Sequence, residues 1–448
     1  MLQSHASMIC HLVQSYADWW HARVSVAKQG NLWILQSQSM TIQMPCDELA
    51  LVPDEICFVE IQCGGMPCQV PFPGNLPPQN FSETLPADLL TFLAGQLWRA
   101  EELLPQHAQQ ASTGGHQGFL GNRFCFFDKP IVDLWMRGLF EILLGHALDS
   151  PQIWREHKGN QEVVAHPRFW MTFDVDCLQK WKTPRVVKHW ARLPLDLLRG
   201  RFSQWLHSTR EAFVARDPTR DPWFTIPQIL HASQSIIATI FWLGHSRDHK
   251  AYRYDIRKPH YGRLVRQVAE AHHQNGLHSS PLHANSLSSL GAEKLRLETI
   301  SGHPVLLNRQ HYLRLVPGET FRHLSALGIK IDSTMGFNAR TGFRCGSCLP
   351  LVWWDLENGC ALDLIEMPFI AGDWTLHNPL HFNPEQSRHA LWNLADQVKQ
   401  AGGILTLDFH DLYFSKDYPG HAEFHRSVLE GLWIRGWRDW HPREEGWT

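Results

Sequence analysis

The sequence lacks the features that mark membrane-spanning, secreted and nucleotide-binding proteins. No run reaches the roughly 18 uncharged apolar residues that a membrane span requires. Residues 1–5 show neither the basic nor the apolar region of a secretory signal. A glycine-rich phosphate loop is also missing, which disfavours a nucleotide-binding sheet.

The cysteines do not have the spacing of a zinc-binding motif. There are ten, and only Cys345 and Cys348 make a Cys-x-x-Cys pair, whereas a zinc ribbon needs two such pairs. Without a secretory signal, we interpret them as reduced thiols and expect a cytoplasmic protein.

Charge indicates no macromolecular partner. The net charge is -3 and no basic tract is present, so neither nucleic acid nor an anionic membrane is expected, and the oligomeric state is not indicated. Histidine and tryptophan are in excess, with 28 and 20 copies. Histidines permit metal sites and tryptophans permit stacking on sugars, although most tryptophans belong in the core.

The 448 residues are long for one domain and sufficient for two. Residues 1–150 combine short β-prone runs with helical patterns but show no catalytic spacing, which predicts a small α+β domain of unknown role. Residues 151–166 are polar and are interpreted as a linker. From 167 to 448, strand-like and helical patterns alternate, which favours an α/β barrel or an open doubly wound sheet. The predicted strands are 169–173, 236–243, 276–278, 305–309, 329–332, 362–367 and 404–410.

One stretch stands out in this second region. The run from Arg168 to Asp176 is apolar and β-prone, which is typical of a strand buried on both faces. It ends in Asp174 and Asp176, whose side chains point the same way because alternate strand residues share a face. Carboxylates at the carboxyl end of a parallel strand occupy the position where α/β barrels hold their active sites.

Four later strand ends carry similar polar residues. They include histidines that follow apolar runs, and an aspartate with two histidines is a normal zinc ligand set that leaves a position for water. These residues are His278 and His283, Arg309 and His311, Asp332, and Asp408, His410 and Asp411.

At these positions the sequence resembles the polysaccharide deacetylase family. Thr172-Phe173-Asp174-Val175-Asp176 is similar to the family's Thr-Phe-Asp-Asp motif, and His278-Ser279 to the start of its His-Ser/Thr-x-x-His motif. Arg309 falls at the Arg-Pro-Pro motif, and the run from Leu405 to His410 resembles the Leu-x-Leu-His motif. More closely, Gly276–Ser279, Arg309–Arg314, Asp332–Phe337 and Gly342–Gly346 resemble a bacterial branch of polysaccharide deacetylase-like proteins, in which an extra N-terminal domain precedes the barrel. The resemblance implies a distorted (β/α) barrel of the polysaccharide deacetylase type and metal-dependent removal of acetyl groups from an N-acetylated sugar.

The motifs depart from the family pattern in three ways. Gln310 and His311 stand where the third motif has prolines. Val175 separates the two aspartates, so which acid takes which role is less secure. His283 follows His278 by five residues instead of four, with Pro281 between them, so His311 competes with His283 as the third metal ligand.

The resemblance also implies roles. Asp176, His278 and either His283 or His311 would bind a divalent metal, most often zinc. Asp174 would be the general base, oriented by Arg309, and His410 the general acid, oriented by Asp408 or Asp411. The predicted substrate-binding residues are Arg344, Trp374 and Asp332. Two alternatives stay open: a catalytically inactive carbohydrate-binding or assembly protein on the same fold, and a metal-independent glycosidase.

Overall fold

A computed structural model describes most of the chain. The described residues are 2–46, 53, 55–63, 65–73, 85, 87–104, 107, 117, 119–156, 164–244, 254–280, 285–316 and 318–447. His283 lies outside them, so its proposed contact with a metal stays a prediction.

The first 150 residues form helices and two small antiparallel sheets. The strands are β1 (Ser25–Gln29), β2 (Leu32–Gln36) and β3 (Thr41–Pro45) in one sheet, and β4 (Ile56–Cys63) and β5 (Met66–Pro73) in the other. The helices are α1 (Leu2–Trp20), α2 (Leu89–Leu97), α3 (Leu120–Arg123) and α4 (Ile131–Leu144). The predicted linker contains a hairpin of β6 (Arg155–Glu156) and β7 (Val164–Ala165).

A ten-stranded sheet organises the rest of the chain. Its strands are β8 (Arg168–Val175), β9 (Thr239–Leu243), β10 (Gln274–Ser279), β11 (Leu307–Gln310), β12 (Ile331–Asp332), β13 (Leu351–Asp355), β14 (Cys360–Glu366), β15 (Ala371–Gly372), β16 (Ile404–His410) and β17 (Arg438–Asp439). The order is β13-β14-β12-β11-β10-β9-β8-β16-β15, with β17 beside the start of β8. Every pairing is parallel except that of β13 with β14.

Among the described residues, ten helices lie between or beside these strands. They are α5 (Thr183–Ala191), α6 (Leu193–Leu198), α7 (Phe202–Val214), α8 (Ile226–Ala232), α9 (Pro259–Glu270), α10 (Leu287–Ser301), α11 (Thr320–Ala326), α12 (Asp373–His377), α13 (Pro384–Ala401) and α14 (His421–Ile434). None of the helices in the described ranges has the length and apolarity needed to cross a membrane.

The prediction of a mixed α/β fold with a mostly parallel sheet is confirmed. Every residue of β8 is buried, as its unbroken apolar run predicts. The sheet ladders do not close into a complete ring, because β13 and β15 remain at its edges among the described residues. The chain after β14 spans the gap: the Met367 N–H donates to the Asp332 carbonyl at 2.8 Å and the Ile370 N–H to the Thr406 carbonyl at 3.4 Å.

The first region packs directly against this sheet. One buried apolar cluster includes residues of both, among them Leu12 and Trp98 from the first region and Trp354 from β13. The Trp98 and Trp354 rings lie 6.3 Å apart. The division of the chain at residue 150 stays a prediction.

Candidate metal centre and active site

The carboxyl ends of β8, β10, β11 and β16 meet at one cavity of about 320 Å³. Parallel pairing determines this convergence, because adjacent strands end on the same edge of the sheet. In the register, His278 lies opposite Arg309, and Asp174 lies opposite His410. The chain continues past β11 into a short 3-10 turn, 311–313, whose first residue is His311.

Asp176, His278 and His311 bring three ligand atoms together. The Asp176 Oδ1 lies 3.5 Å from His278 Nε2 and 3.3 Å from His311 Nε2, and all three atoms lie within 4.8 Å of one another. Zinc with nitrogen and oxygen ligands at about 2.0–2.1 Å in a tetrahedral arrangement sets ligand atoms roughly 3.4 Å apart. The spacing therefore fits a small divalent cation.

The same three atoms lack hydrogen bonds. Asp176 Oδ1, His278 Nε2 and His311 Nε2 are buried, and none has a hydrogen-bond partner among the described residues. Buried polar atoms are normally paired, because an unpaired one loses its hydration without compensation. Three such atoms within 4.8 Å of one another are the arrangement expected of metal ligands.

A neighbouring carbonyl fixes the tautomer of His278. Its Nδ1 lies 3.0 Å from the Arg309 carbonyl oxygen, which can only accept, so Nδ1–H donates to that oxygen and Nε2 is the nitrogen that would bind a metal. Backbone carbonyls orient metal-binding histidines in this way. Burial alone would raise the pKa of Asp176, but His311 and His278 hold it well below its ordinary value, so the carboxylate is ionised.

Asp174 lies beside this triad and is bound by Arg309. The guanidinium NH1 is 3.0 Å from Asp174 Oδ1, 2.7 Å from Asp408 Oδ1 and 2.7 Å from the Thr172 hydroxyl. Burial acts to raise the pKa of Asp174, but His278 and Arg309 outweigh it and keep the pKa low. Burial, with Asp174 close by, raises the pKa of Asp408 well above its ordinary value. Of the two acids on this arginine, Asp174 is therefore the ionised one.

A second set of close ligand atoms comes from Asp174, Asp408 and His410. This set is a poorer metal site, because the Arg309 guanidinium already bridges the two carboxylates and would repel a cation.

His410 faces the triad across the cavity. Its Nδ1 lies 2.7 Å from Asp373 Oδ1 and 3.5 Å from Asp408 Oδ2, whereas its Nε2 lies 4.0 Å from Asp176 Oδ2. Burial acts to lower the pKa of His410, but Asp373, with Asp176, raises it well above the ordinary value. Nε2 therefore presents a proton to the cavity.

The predicted partner Asp411 has another role. Its carboxylate accepts the backbone N–H groups of Asp176 at 3.1 Å and Cys177 at 3.0 Å, so it holds the end of β8 and does not orient His410. Asp373, the residue before Trp374, orients His410 instead. Its partnership with His410 had no sequence signal, because the two residues are 37 positions apart.

Two of the predicted substrate-binding residues do not line the cavity. Asp332 is completely buried behind it, accepting from the Asn308 amide at 2.6 Å and the Thr334 N–H at 2.9 Å. Arg344 is also completely buried. Both side chains bond to other protein groups in the interior instead of facing the cavity, and their contact with a substrate stays a prediction. Trp374 does line the cavity and is 37% exposed.

Arg344 joins the first region to the loop that carries His311. It makes a bidentate ion pair with buried Glu102, at 2.9 Å and 2.7 Å, and Glu102 also accepts from Arg99 at 2.8 Å. The Arg344 NH1 is 3.5 Å from the Leu313 carbonyl and 3.0 Å from that of Gly336. Tyr312 and Leu313 both have positive φ angles, of 60° and 51°, which cost free energy unless the surroundings hold them.

No protein-family model matches the chain, and no curated protein matches it. The solved structures to which it is similar are polysaccharide deacetylases and carbohydrate esterases of family 4. A provisionally assigned polysaccharide deacetylase from Mycobacterium smegmatis is 17% identical over 63% of this chain and 88% of that one, with a TM-score of 0.39. A family 4 carbohydrate esterase from Streptomyces lividans, in complex with acetate, is 10% identical over 61% and 92%, with a TM-score of 0.31. A family 4 pseudoenzyme from Bacillus anthracis is 11% identical over 65% and 67%, with a TM-score of 0.30. At these TM-scores the similarity does not decide the function of this chain.

Proposed function

We propose that this protein is a metal-dependent deacetylase that removes acetyl groups from an N-acetylated sugar. The observation that carries the proposal is the convergence of Asp176, His278 and His311, whose buried ligand atoms have no hydrogen bonds among the described residues and are spaced for one divalent cation. Zinc is the proposed ion, since one carboxylate and two imidazoles are ligands it commonly takes with a position left open.

The proposed chemistry divides between the ion and two side chains. A bound divalent cation supplies an activated water and polarises an acyl oxygen. Asp174, kept ionised by Arg309, accepts a proton at the carboxylate edge that faces the cavity. His410, kept protonated by Asp373, donates a proton from Nε2 to the nitrogen that leaves.

The walls of the cavity support a sugar substrate. Trp374 and Tyr312 both line it, and they are 37% and 38% exposed, so each presents an aromatic surface to a ligand. The Trp374 ring centre is 6.2 Å from that of His410, which places a stacking surface beside the proposed proton donor. The sequence motifs that resemble polysaccharide deacetylases support the choice of an N-acetylated sugar, on a distorted barrel of that family's type.

The test is acetate release from short N-acetylglucosamine oligosaccharides by the full chain. We expect release with stoichiometric zinc, loss after chelation and recovery after zinc is returned. Retained sugar binding without acetate release or bound metal would favour the inactive binding protein. Chelator-resistant formation of new reducing ends would favour the glycosidase.

A further inference from the structure

The most unusual surface of the molecule is the helical insertion between β8 and β9, defined here as residues 183–216. Eight large apolar side chains in it are exposed, of seventeen among the described residues of the whole chain. Leu198 is the most exposed of the eight, at 85%. The others are Val187, Trp190, Leu195, Leu197, Phe202, Phe213 and Val214. So dense an apolar surface on a soluble chain marks an interaction site.

The insertion is also strongly basic. It contains seven Lys or Arg and two Asp or Glu, a net charge of +5 in a chain whose total is -3. Six of these cations are exposed, and none of the six makes an ion pair with a described residue. They are Lys188, Arg192, Arg199, Arg201, Arg210 and Arg216. Unpaired cations beside exposed Trp, Phe and Leu are complementary to a surface that is both anionic and apolar.

Two of the three helices of the insertion, α5 and α7, pack through Trp205, which is the buried residue of α7. Its ring stacks on His189 at 5.2 Å and contacts Trp190 at 5.1 Å, and its Nε1 donates to the His189 carbonyl at 3.2 Å. The three short helices also pack on one another and direct their remaining apolar side chains outward. An exposed surface that combines apolar side chains with cations fits an anionic lipid layer.

The insertion lies close to the active-site cavity. The Arg185 guanidinium lies 4.2 Å from the Trp223 ring, and Trp223 packs in one small cluster with Cys177 and Leu412, which line the cavity. One layer of side chains therefore separates the insertion from the wall of the cavity.

We propose that residues 183–216 bind an anionic membrane surface, with their apolar side chains in the headgroup region and their cations on lipid phosphates. Binding through this insertion would place the active-site cavity close to the membrane surface. The binding does not depend on the proposed deacetylase activity, since it uses other residues.

Co-sedimentation of the full chain with phosphatidylcholine vesicles, with and without phosphatidylglycerol, tests the proposal. We expect sedimentation with the anionic vesicles that weakens at high salt. The Arg199→Glu/Arg201→Glu variant should bind at least about 30-fold more weakly, since each cation lost near an anionic surface costs several-fold in affinity. The Leu198→Asp variant should bind the anionic vesicles at least about 10-fold more weakly than the wild type.

Matched controls separate this surface from the rest of the molecule. Ile434→Asp changes an equally exposed residue, at 87%, on α14, and Arg426→Glu/Lys399→Glu reverses two exposed cations elsewhere. Both controls should bind vesicles as the wild type does, and all variants should release acetate from a soluble oligosaccharide at the wild-type rate and keep the wild-type melting temperature.

Three results would overturn the proposal. The first is no sedimentation with anionic vesicles, and the second is equal binding to neutral ones. The third is a dimer that Leu198→Asp dissociates without any vesicle binding, which would assign the surface to a second copy of the chain.

Discussion

Replacing Asp373 with asparagine removes the charge that orients His410 and changes little else in shape. Asp373 is buried and uses both oxygens: Oδ1 accepts from His410 Nδ1 at 2.7 Å and from the Trp374 N–H at 2.6 Å, and Oδ2 accepts from the His410 N–H at 2.9 Å. Asparagine has one acceptor oxygen, so one of these sites would face an NH₂ group that can only donate.

The expected loss in kcat/KM follows from the hydrogen bond between His410 Nδ1 and Asp373 Oδ1. A hydrogen bond to a charged partner contributes about 1.5–3 kcal/mol, which corresponds to a reduction of roughly 10- to 150-fold in kcat/KM if it stabilises protonated His410 in the transition state. Removing the acid altogether with His410→Ala should cost more, about 10²–10⁴-fold. The double variant should be no slower than His410→Ala, because Asp373 acts through His410.

The pH profile distinguishes this role from a purely structural one. Asp373 raises the pKa of His410, so the wild type keeps its proton donor into the alkaline range. In Asp373→Asn the alkaline limb of kcat/KM should move to lower pH, measured as acetate release from N-acetylglucosamine oligosaccharides. Bound zinc should stay at the wild-type ratio, because Asp373 contacts none of the three ligand atoms. An unchanged kcat/KM and an unmoved alkaline limb would refute the reasoning.

Three further predictions test other parts of the structure. Asp174→Asn should keep its zinc but lose about 10²–10⁴-fold in acetate release, and activity near the wild-type level would exclude Asp174 as the base. Glu102→Gln leaves two buried arginines without their carboxylate and should lower the free energy of unfolding by about 3–5 kcal/mol and weaken zinc binding. The exposed control Asp363→Asn should change stability by no more than about 1 kcal/mol in the same denaturant titration, and equal effects would contradict the structural role of Glu102. Burial among aromatic rings lowers the pKa of His425 to about 4, below the roughly 6.5 of an unfolded histidine. The contribution of neutral His425 to the free energy of unfolding is therefore fully present above about pH 6.5. It should fall by about 3 kcal/mol as the pH drops toward 4. His425→Leu should show a correspondingly smaller loss, and an identical acid dependence would contradict the assignment.

The long strands could be predicted from the sequence because a buried strand is a continuous run of apolar residues. β8, β9 and β16 are apolar runs of the length that a buried parallel strand needs, and each was predicted within a few residues. β15 is only two residues long, so it produces no distinctive run. β13 is mostly buried and apolar, and it is missing from the predicted strands.

The site was predicted in part, and its gaps have a physical cause. The residue types at the strand ends indicated a metal site, but the third ligand depends on the register between β10 and β11 and on the turn after β11. That turn brings His311 to His278, with ring centres 4.7 Å apart. The sequence predicts Arg344 as a substrate contact, whereas the structure pairs it with Glu102, which lies 242 positions earlier in the chain. Contacts this distant leave no local signal.

The net charge of the whole chain also gives no indication of the positive charge on residues 183–216. A total of -3 gave no reason to expect an anionic membrane, yet residues 183–216 carry +5. The sequence alone does not show that the helices of this insertion leave their cations and apolar side chains exposed on one surface.

The most direct test of the metal centre is the metal content of the purified chain, measured after zinc loading and desalting, for the wild type and for His311→Ala and Asp176→Asn. We predict one zinc per wild-type chain and a large loss in both variants, with Asp174→Asn retaining its metal as the matched control. No stoichiometric zinc in the wild type, or zinc that both ligand variants retain in full, would contradict the account.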